Sequence, residues 1–226
     1  MQLKRKNMNL SKFTKRAIDV AASILLLLIL APILVISALA ILVLEGRPIF
    51  YISRRYVSVD REIPIIKFRT MVLDAKSEKY DLHGRFMREG YLDIPLDCEV
   101  YTGIGRVLER SQLVEMLQLF NVFLNSMSLI GNRPLPSVNV DELKKFAGWQ
   151  ERFASPAGIT GISQVVGKLN QQPTERLELE GLYSKVYNEG NVIKCDIFVA
   201  YYTIRLVLLG KPLSIEKARQ LLNRCL

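Results

Sequence analysis

The sequence predicts a mixed α/β fold that is mainly helical, with an N-terminal membrane helix and a small following domain. An uninterrupted apolar run occupies residues 20–44, and a β-branched, alternating segment follows it at 48–71. Most of the remaining chain shows helical periodicity, interrupted by glycine and proline turns. The 226 residues are enough for one domain plus a membrane segment. We therefore divide the sequence into an anchor, residues 1–46, and a domain, residues 47–226.

The composition is both basic and apolar. Lys and Arg total 31 against 22 Asp and Glu, a formal net charge of +9, and half of the residues are hydrophobic. This combination indicates an anionic membrane surface or phosphate-bearing ligands. We expect no nucleic-acid partner, because the cations are dispersed and no nucleic-acid motif is present. The three cysteines show no metal spacing and are predicted to be reduced thiols, and the single histidine, His83, excludes multi-histidine sites.

The apolar run from Val20 to Leu44 predicts a retained membrane anchor. A helix rises about 1.5 Å per residue, so the run is long enough to cross the hydrocarbon core. It is too long for the apolar part of a signal peptide. Clusters of Lys and Arg flank it on both sides, and Pro32 lies near its middle. A re-entrant helix broken at Pro32 keeps both basic flanks in the cytoplasm. The alternative is a tilted single span kinked at Pro32.

The domain is expected to contain short strands and amphipathic helices. Residues 48–71 predict one or two strands ending at Met71, and residues 74–100 a polar loop with a helical piece. Residues 104–125 predict one helix whose apolar face includes Leu113 and Met116, with Glu115 on the polar, solvated stripe.

Three further segments complete the predicted domain. Residues 138–153 predict another helix, and residues 155–168 a glycine-rich turn. Residues 191–212 are apolar but contain Asp196 and Arg205, which makes them a poor membrane span. We expect a helix there that lies in the membrane interface or packs in the core.

Cations beside glycine turns predict a diphosphate site. Lys67 and Arg69 alternate in a predicted strand, Arg133 follows a glycine turn, and Lys168 ends the glycine-rich segment. Cationic side chains and backbone N–H groups presented from turns are what diphosphate binding requires. Glu115 offers carboxylate oxygens to a hard cation, so a Mg²⁺-diphosphate site is predicted.

Several motifs together resemble one known family. The segments are KRAIDV at 15–20, KFRTM at 67–71, IGRVLERS at 104–111, GITGISQVVGK at 158–168 and DIFVAYYTI at 196–204. With these segments, nearly the whole chain resembles the bacterial sugar transferase family, the monotopic polyprenyl-phosphate phosphoglycosyl transferases.

The resemblance implies an enzyme at the cytoplasmic face of the bacterial inner membrane. It implies transfer of a phosphosugar from a UDP-sugar to polyprenyl phosphate, with release of UMP and a requirement for Mg²⁺, in polysaccharide or glycoconjugate biosynthesis. In that family an adjacent Asp-Glu pair acts: the Asp attacks the β-phosphate and the Glu holds the metal. Membrane lipid is a further implied partner.

Carried over by position, the family's site falls on a small set of residues. Glu115 matches the metal-binding Glu, and Val114 occupies the position of the nucleophilic Asp. The remaining positions are implied to bind substrate; they are Lys67, Arg69, Arg133, Gln164 and Lys168.

Because valine cannot attack phosphorus, three functions stay open. The chain is a transferase that uses another nucleophile, for which Asp93, Asp97 and Glu99 are candidates, or direct attack by the lipid phosphate. Alternatively it is a catalytically inactive member that binds UDP-sugar, lipid phosphate or a partner enzyme. The third function is docking on anionic lipid alone. The sequence identifies no particular sugar and leaves a homo- or hetero-oligomer open.

Overall fold

The computed structural model describes residues 2–88, 91–92, 94–167 and 170–226 and confirms a mixed α/β, mainly helical fold. Helix α1 runs from Gln2 to Glu45 without interruption and contains Pro32. The helix therefore shows no break at the proline, and the re-entrant path stays a prediction. Its part from Leu10 to Glu45 is long and apolar enough to cross a membrane by length and composition.

Helix α1 is attached to the domain near both of its ends. Near the first end, Lys15 and Asp19 are buried and hydrogen-bond to residues of the domain. Near the second end, Leu34 and Ile41 belong to an apolar cluster with domain side chains. Many other apolar side chains of α1 stay exposed. The domain thus covers one side of the helix and leaves its remaining apolar surface free.

The β-branched segment forms two strands, within the one or two predicted; they pair as a hairpin, and the second strand ends at Phe68 instead of Met71. Strand β1, Phe50–Tyr56, pairs antiparallel with strand β2, Glu62–Phe68. Ile63 and Ile65 are buried on its inner side, while Ile52 and Ile66 are exposed on the other, which is the alternation expected of a half-buried strand pair. The polar segment that follows holds a 3₁₀ turn and short elements; these are the 3₁₀ helix Glu78–Tyr80, α2 Leu82–Phe86, β3 Met87–Arg88 and β4 Tyr91–Leu92.

The prediction of one helix over 104–125 is wrong. The segment forms α3, Gly103–Arg110, then a 3₁₀ helix, Leu113–Gln118, and then α4, Leu119–Phe123. The α-helical conformation ends at Gln112, because the φ angle of this residue, 61°, lies in the left-handed region.

The 3₁₀ helix changes which side chains share a face. With three residues per turn, Val114 lies above Leu117, and Glu115 lies above Gln118. All four are buried, and Glu115 is only 9% exposed. The prediction that Glu115 lies on a solvated stripe is therefore wrong, because that stripe was derived from α-helical periodicity.

The C-terminal half packs helices around a short parallel strand pair. Strands β5, Ser128–Ile130, and β6, Gly158–Thr160, pair in parallel. The 138–153 segment contains α5, Ser137–Leu143, and a 3₁₀ helix, Trp149–Phe153, instead of one helix. The helices that follow are α6 Ile162–Val166, α7 Pro173–Glu189, α8 Val192–Leu209 and α9 Ile215–Asn223.

The largest apolar core lies among α6, α7, α8 and α9. Val166, Leu179, Val186 and Leu222 are fully buried there. The predicted helix over 191–212 is confirmed as α8, which packs into this core and also exposes apolar side chains such as Ile204.

Candidate anion site around Glu115

The candidate site is a cluster of one carboxylate and two cations. The Nζ atom of Lys67 lies 3.0 Å from Oε1 of Glu115, and Nη1 of Arg133 lies 2.9 Å from Oε2. A second guanidinium nitrogen of Arg133 donates to Oε1. The side chains of Glu115, Lys67 and Arg133 are 12%, 18% and 25% exposed. Both carboxylate oxygens are therefore held by cations in a largely dry environment.

Each member of this cluster comes from a different, well-fixed element. Lys67 lies on β2, Glu115 on the 3₁₀ helix, and Arg133 on the turn after β5. That turn is anchored because Arg152 donates a 2.8 Å hydrogen bond to the carbonyl of Arg133. Gly131 is required in the same turn, since a Cβ atom there would lie 2.2 Å from the carbonyl oxygen of Pro156.

A buried polar network holds the turn that carries Arg133 in place. Arg152 donates to Glu180 at 2.6 Å, and Asn132 donates to the carbonyl oxygens of Arg152 and Glu180. Burial disfavours the charged form of Glu180, but Arg152 and Arg176 outweigh it and lower its pKa to about 2. The network links the turn that carries Arg133 to helix α7.

The ion cluster shifts the pKa of each of its members. Burial alone would raise the pKa of Glu115, but the neighbouring Arg133 and Lys67 outweigh it and hold the pKa well below its ordinary value. Burial lowers the pKa of Lys67. Burial and the charge of Arg133 also lower the pKa of Arg55, a third cation that interacts electrostatically with the cluster. Glu109 also interacts electrostatically with Arg133, so the site has three cations against two carboxylates and keeps an excess of one positive charge.

Arg55 is the site residue that the sequence reasoning missed. The alternation of Tyr51, Ser53 and Arg55 is visible in the sequence, but the register that pairs Tyr51 with Lys67 is seen only in the structure. Directly paired residues of an antiparallel hairpin share a face, so Arg55 lies on the same face as Lys67.

Val114 lies beside this cluster but in apolar surroundings. It is 3% exposed and belongs to a buried cluster with Leu34 and Ile41 of α1 and with Phe68 and Leu108 of the domain. The Val114 side chain is therefore part of the contact between anchor and domain.

The described residues do not fit a Mg²⁺ site as they are arranged. Within those residues, no group of three or more His, Cys, Asp or Glu side chains is placed to hold a metal ion. Both oxygens of Glu115 accept hydrogen bonds from Lys67 and Arg133, so a metal ion would have to displace a cation. Mg²⁺ stays a prediction of the family resemblance.

The structure also places the other candidate carboxylates and cations. Asp93 and Lys168 lie outside the described residues. Glu99 is exposed and pairs with Arg85 at 2.6 Å, and Asp97 is exposed as well.

Arg69 and Gln164 make structural contacts. Arg69 is buried and donates to the carbonyl oxygens of Glu45, Gly46 and Arg47, which fixes the end of α1 to the hairpin. Gln164, on α6, donates to the carbonyl of Ile159 on β6. The structure thus brings Lys67, Glu115 and Arg133 together, and it uses Arg69 and Gln164 to position backbone.

A long apolar helix attached to an α/β domain with a cation-rich site is the arrangement expected of a membrane-associated domain for anionic ligands. The family model described as "Bacterial sugar transferase" matches residues 10–210. The chain belongs to the bacterial sugar transferase family.

Curated relatives of the chain are named as transferases that act on undecaprenyl phosphate. The chain is 30% identical over 205 residues to the undecaprenyl-phosphate galactose phosphotransferase of Salmonella typhimurium, covering 88% of this chain and 41% of the relative. It is 29% identical to the UDP-glucose:undecaprenyl-phosphate glucose-1-phosphate transferase of Klebsiella pneumoniae, covering 84% of this chain and 39% of the relative. The chain thus spans about two fifths of the length of these relatives.

Proposed function

We propose that this protein is a membrane-bound member of the family that binds a UDP-sugar or polyprenyl phosphate but lacks covalent phosphosugar transfer. The observation that carries the proposal is Val114, which places a buried isopropyl group where the resembling family has its nucleophile. Binding and catalysis are thereby separated, because the cations beside Val114 are retained.

The ion cluster supports the binding half of the proposal. Lys67, Arg133 and Arg55 supply more positive charge than Glu115 neutralises. A guanidinium group binds phosphate oxygens in a bidentate manner, and the low exposure of the cluster strengthens such bonds. In this proposal Glu115 acts as an internal counter-ion, which holds the two cations in place until a diphosphate oxygen competes for them.

Val114 accounts for the proposed loss of covalent phosphosugar transfer. The covalent route requires a side-chain oxygen that attacks the β-phosphate and leaves UMP. Valine has no lone pair to donate, and its neighbours Leu34 and Ile41 exclude water from its side chain. Losing a nucleophile commonly slows an enzyme by several orders of magnitude. We therefore expect this chain alone to turn over little or no UDP-sugar.

The contacts of α1 support a re-entrant anchor at the cytoplasmic face of the bacterial inner membrane. In a straight span, Asp19 and Glu45 would lie about 39 Å apart along the axis, on opposite sides of the bilayer. Yet the same domain bonds Asp19 through the N–H of Leu129 and holds the carbonyl of Glu45 through Arg69. A domain on one side of the membrane that contacts both residues favours that side for both, and because α1 is continuous through Pro32, the re-entrant path requires a bend of this helix and not a break.

Calorimetry on the purified chain in nanodiscs tests the binding proposal. We expect saturable heat on titration with UDP in the presence of EDTA, and strongly weakened binding in Arg133→Gln. Arg219→Gln, which removes an exposed arginine paired with Glu178 on the far helices, is the matched control and should bind as the wild type does. Absence of UDP and polyprenyl phosphate binding, with or without Mg²⁺, would contradict the proposal.

A further inference from the structure

A separate cavity lies where the polar start of α1 meets the domain. Its volume is about 360 Å³, within the range of small-molecule pockets. Helix α1, the turn of the hairpin and the loop after α4 line it, and the residues used below are Lys12, Lys15, Arg16, Asp19 and Arg61. None of Lys67, Glu115, Arg133 or Arg55 lines it, so it is distinct from the ion cluster.

The charges of the cavity are unbalanced. Four cations line it against the single carboxylate of Asp19. Asp19 is already satisfied, because its oxygens accept from the hydroxyl of Ser128 at 2.7 Å and from the N–H of Leu129 at 3.1 Å. Lys15 is likewise paired, with Asp196 at 2.5 Å.

Two arginines keep their charge uncompensated in this cavity. Among the described residues, Arg16 donates to backbone carbonyl oxygens alone, at 2.7 Å to Val122 and 3.2 Å to Met127 and Phe123, so its guanidinium is held in place without a paired carboxylate there. The side chain of Arg61 is exposed and, within the part of the chain that the structure describes, pairs with no carboxylate. The cavity therefore presents positive charge, held in place at Arg16 and exposed at Arg61.

Exposed apolar side chains adjoin these cations. Phe13 is 72% exposed, and Phe123 and Leu124 are 46% and 70% exposed at the end of α4. The apolar run of α1 begins at Val20, directly after Asp19. Cations beside exposed apolar groups, at the point where a helix turns apolar, are typical of the level of lipid headgroups.

We propose that this cavity binds the phosphate of an anionic glycerophospholipid, whose acyl chains lie over Phe13, Phe123 and Leu124. The inference rests on the membrane association proposed above and not on UDP-sugar binding. Arg16 and Arg61 hold the phosphate oxygens, and the negative charge of Asp19 is offset by Lys15, whose Nζ lies 3.8 Å from the Asp19 carboxylate. The bound lipid would fix the depth of the domain at the membrane surface.

The test uses the full chain in a non-ionic detergent with short-chain lipids that stay monomeric. Calorimetric titration with dihexanoyl phosphatidylglycerol should give a saturable one-to-one complex, and dihexanoyl phosphatidylcholine should bind at least about tenfold more weakly. Arg61→Gln should weaken phosphatidylglycerol binding about tenfold, since it removes one charge-assisted contact. Because Arg61 is exposed, this variant keeps the fold, and UDP binding should be unchanged.

The controls separate specific from general attraction. Lys144→Gln removes one exposed cation directly after α5, which does not line the cavity, and should bind phosphatidylglycerol as the wild type does. Equal binding of both lipids, or equal effects of Arg61→Gln and Lys144→Gln, would overturn the proposal. Inorganic phosphate that binds as tightly as the lipid, with the same loss in Arg61→Gln, would also overturn it in favour of a free-anion site. UDP titration of the same samples reports separately on the proposed function.

Discussion

Replacing Glu115 with Gln should destabilise the protein and make it respond more strongly to anions. The substitution keeps the size of the side chain but leaves Lys67 and Arg133 without their shared counter-ion. Breaking a fully buried pair costs about 3–5 kcal/mol. Since Lys67 and Arg133 retain 18% and 25% exposure, we expect a smaller loss of unfolding free energy, about 2–3 kcal/mol.

The expected loss of unfolding free energy can be converted into a fall in melting temperature. For a chain of this size, 1 kcal/mol corresponds to roughly 2–4 °C, so the Tm of Glu115→Gln should fall by about 4–12 °C. Circular dichroism of the nanodisc-bound protein measures it. Glu99→Gln removes a carboxylate from an exposed arginine pair with Arg85 and should change the Tm little.

Anion rescue distinguishes a cation site from a merely structural ion pair. Pyrophosphate should raise the Tm of Glu115→Gln more than that of the wild type, because it replaces the missing carboxylate between the two cations. A Tm equal to that of Glu99→Gln, or equal stabilisation of Glu115→Gln and wild type by pyrophosphate, would refute the reasoning.

The pH dependence has a definite sign. The pKa of Glu115 is depressed in the folded protein, so its stabilising contribution is fully present above the unfolded carboxyl pKa of about 4.5. It is lost only as the pH falls below that value toward the depressed folded pKa. The Tm difference between wild type and Glu115→Gln should therefore be constant on the acid side of neutrality down to about pH 5, and shrink below it.

Three further predictions concern Val114, the contact of Arg69 with the end of α1, and the path of α1 through the membrane. Val114→Asp should lower unfolding free energy by about 2–4 kcal/mol, measured by thermal denaturation, because it buries a carboxylate among apolar side chains; stability equal to that of the wild type would contradict that placement. Arg69→Gln should lower the Tm without changing UDP affinity, since Arg69 binds the backbone carbonyls of Glu45, Gly46 and Arg47 and lies 3.6 Å from the Glu45 carboxylate, all at the end of α1; a calorimetric loss of UDP binding would assign it to the site. Gln2→Cys and Asp60→Cys should label from the same side of the membrane with an impermeant maleimide, whereas labelling from opposite sides would exclude the re-entrant anchor.

The elements that sequence predicted well are those fixed by local pattern. The apolar run predicted the helix observed as α1, and the β-branched alternation predicted the strands observed as β1 and β2. The apolar segment after Asn191 gave α8, which both packs in the core and exposes apolar side chains. The parallel pairing of β5 with β6 was not predicted, because each strand has three residues and its partner lies some 30 residues away.

The region around Glu115 was not predictable from periodicity. Its apolar pattern fits one continuous α-helix as well as an α-helix followed by a 3₁₀ helix. The break between the two depends on the left-handed backbone of Gln112, and the sequence has no glycine at this position to predict such a backbone. Glu115 is buried because its counter-ions come from Lys67 and Arg133, 48 and 18 residues away. A burial that depends on distant partners leaves no local signal.

The candidate site was predicted in part for a similar reason. The structure brings Lys67, Glu115 and Arg133 into contact, whereas Arg69 follows the last residue of β2 and turns to the carbonyls at the end of α1. Alternation along a strand stops predicting a shared face where the strand ends.

UMP release by the purified chain tests the central claim most directly. The assay contains nanodiscs, undecaprenyl phosphate, Mg²⁺ and a panel of UDP-sugars, with Glu115→Ala as the control. We predict that wild-type protein that binds UDP by calorimetry releases no more UMP than Glu115→Ala does. Sustained UMP release by the wild type that Glu115→Ala abolishes would contradict the account and establish a working transferase without the family's nucleophile.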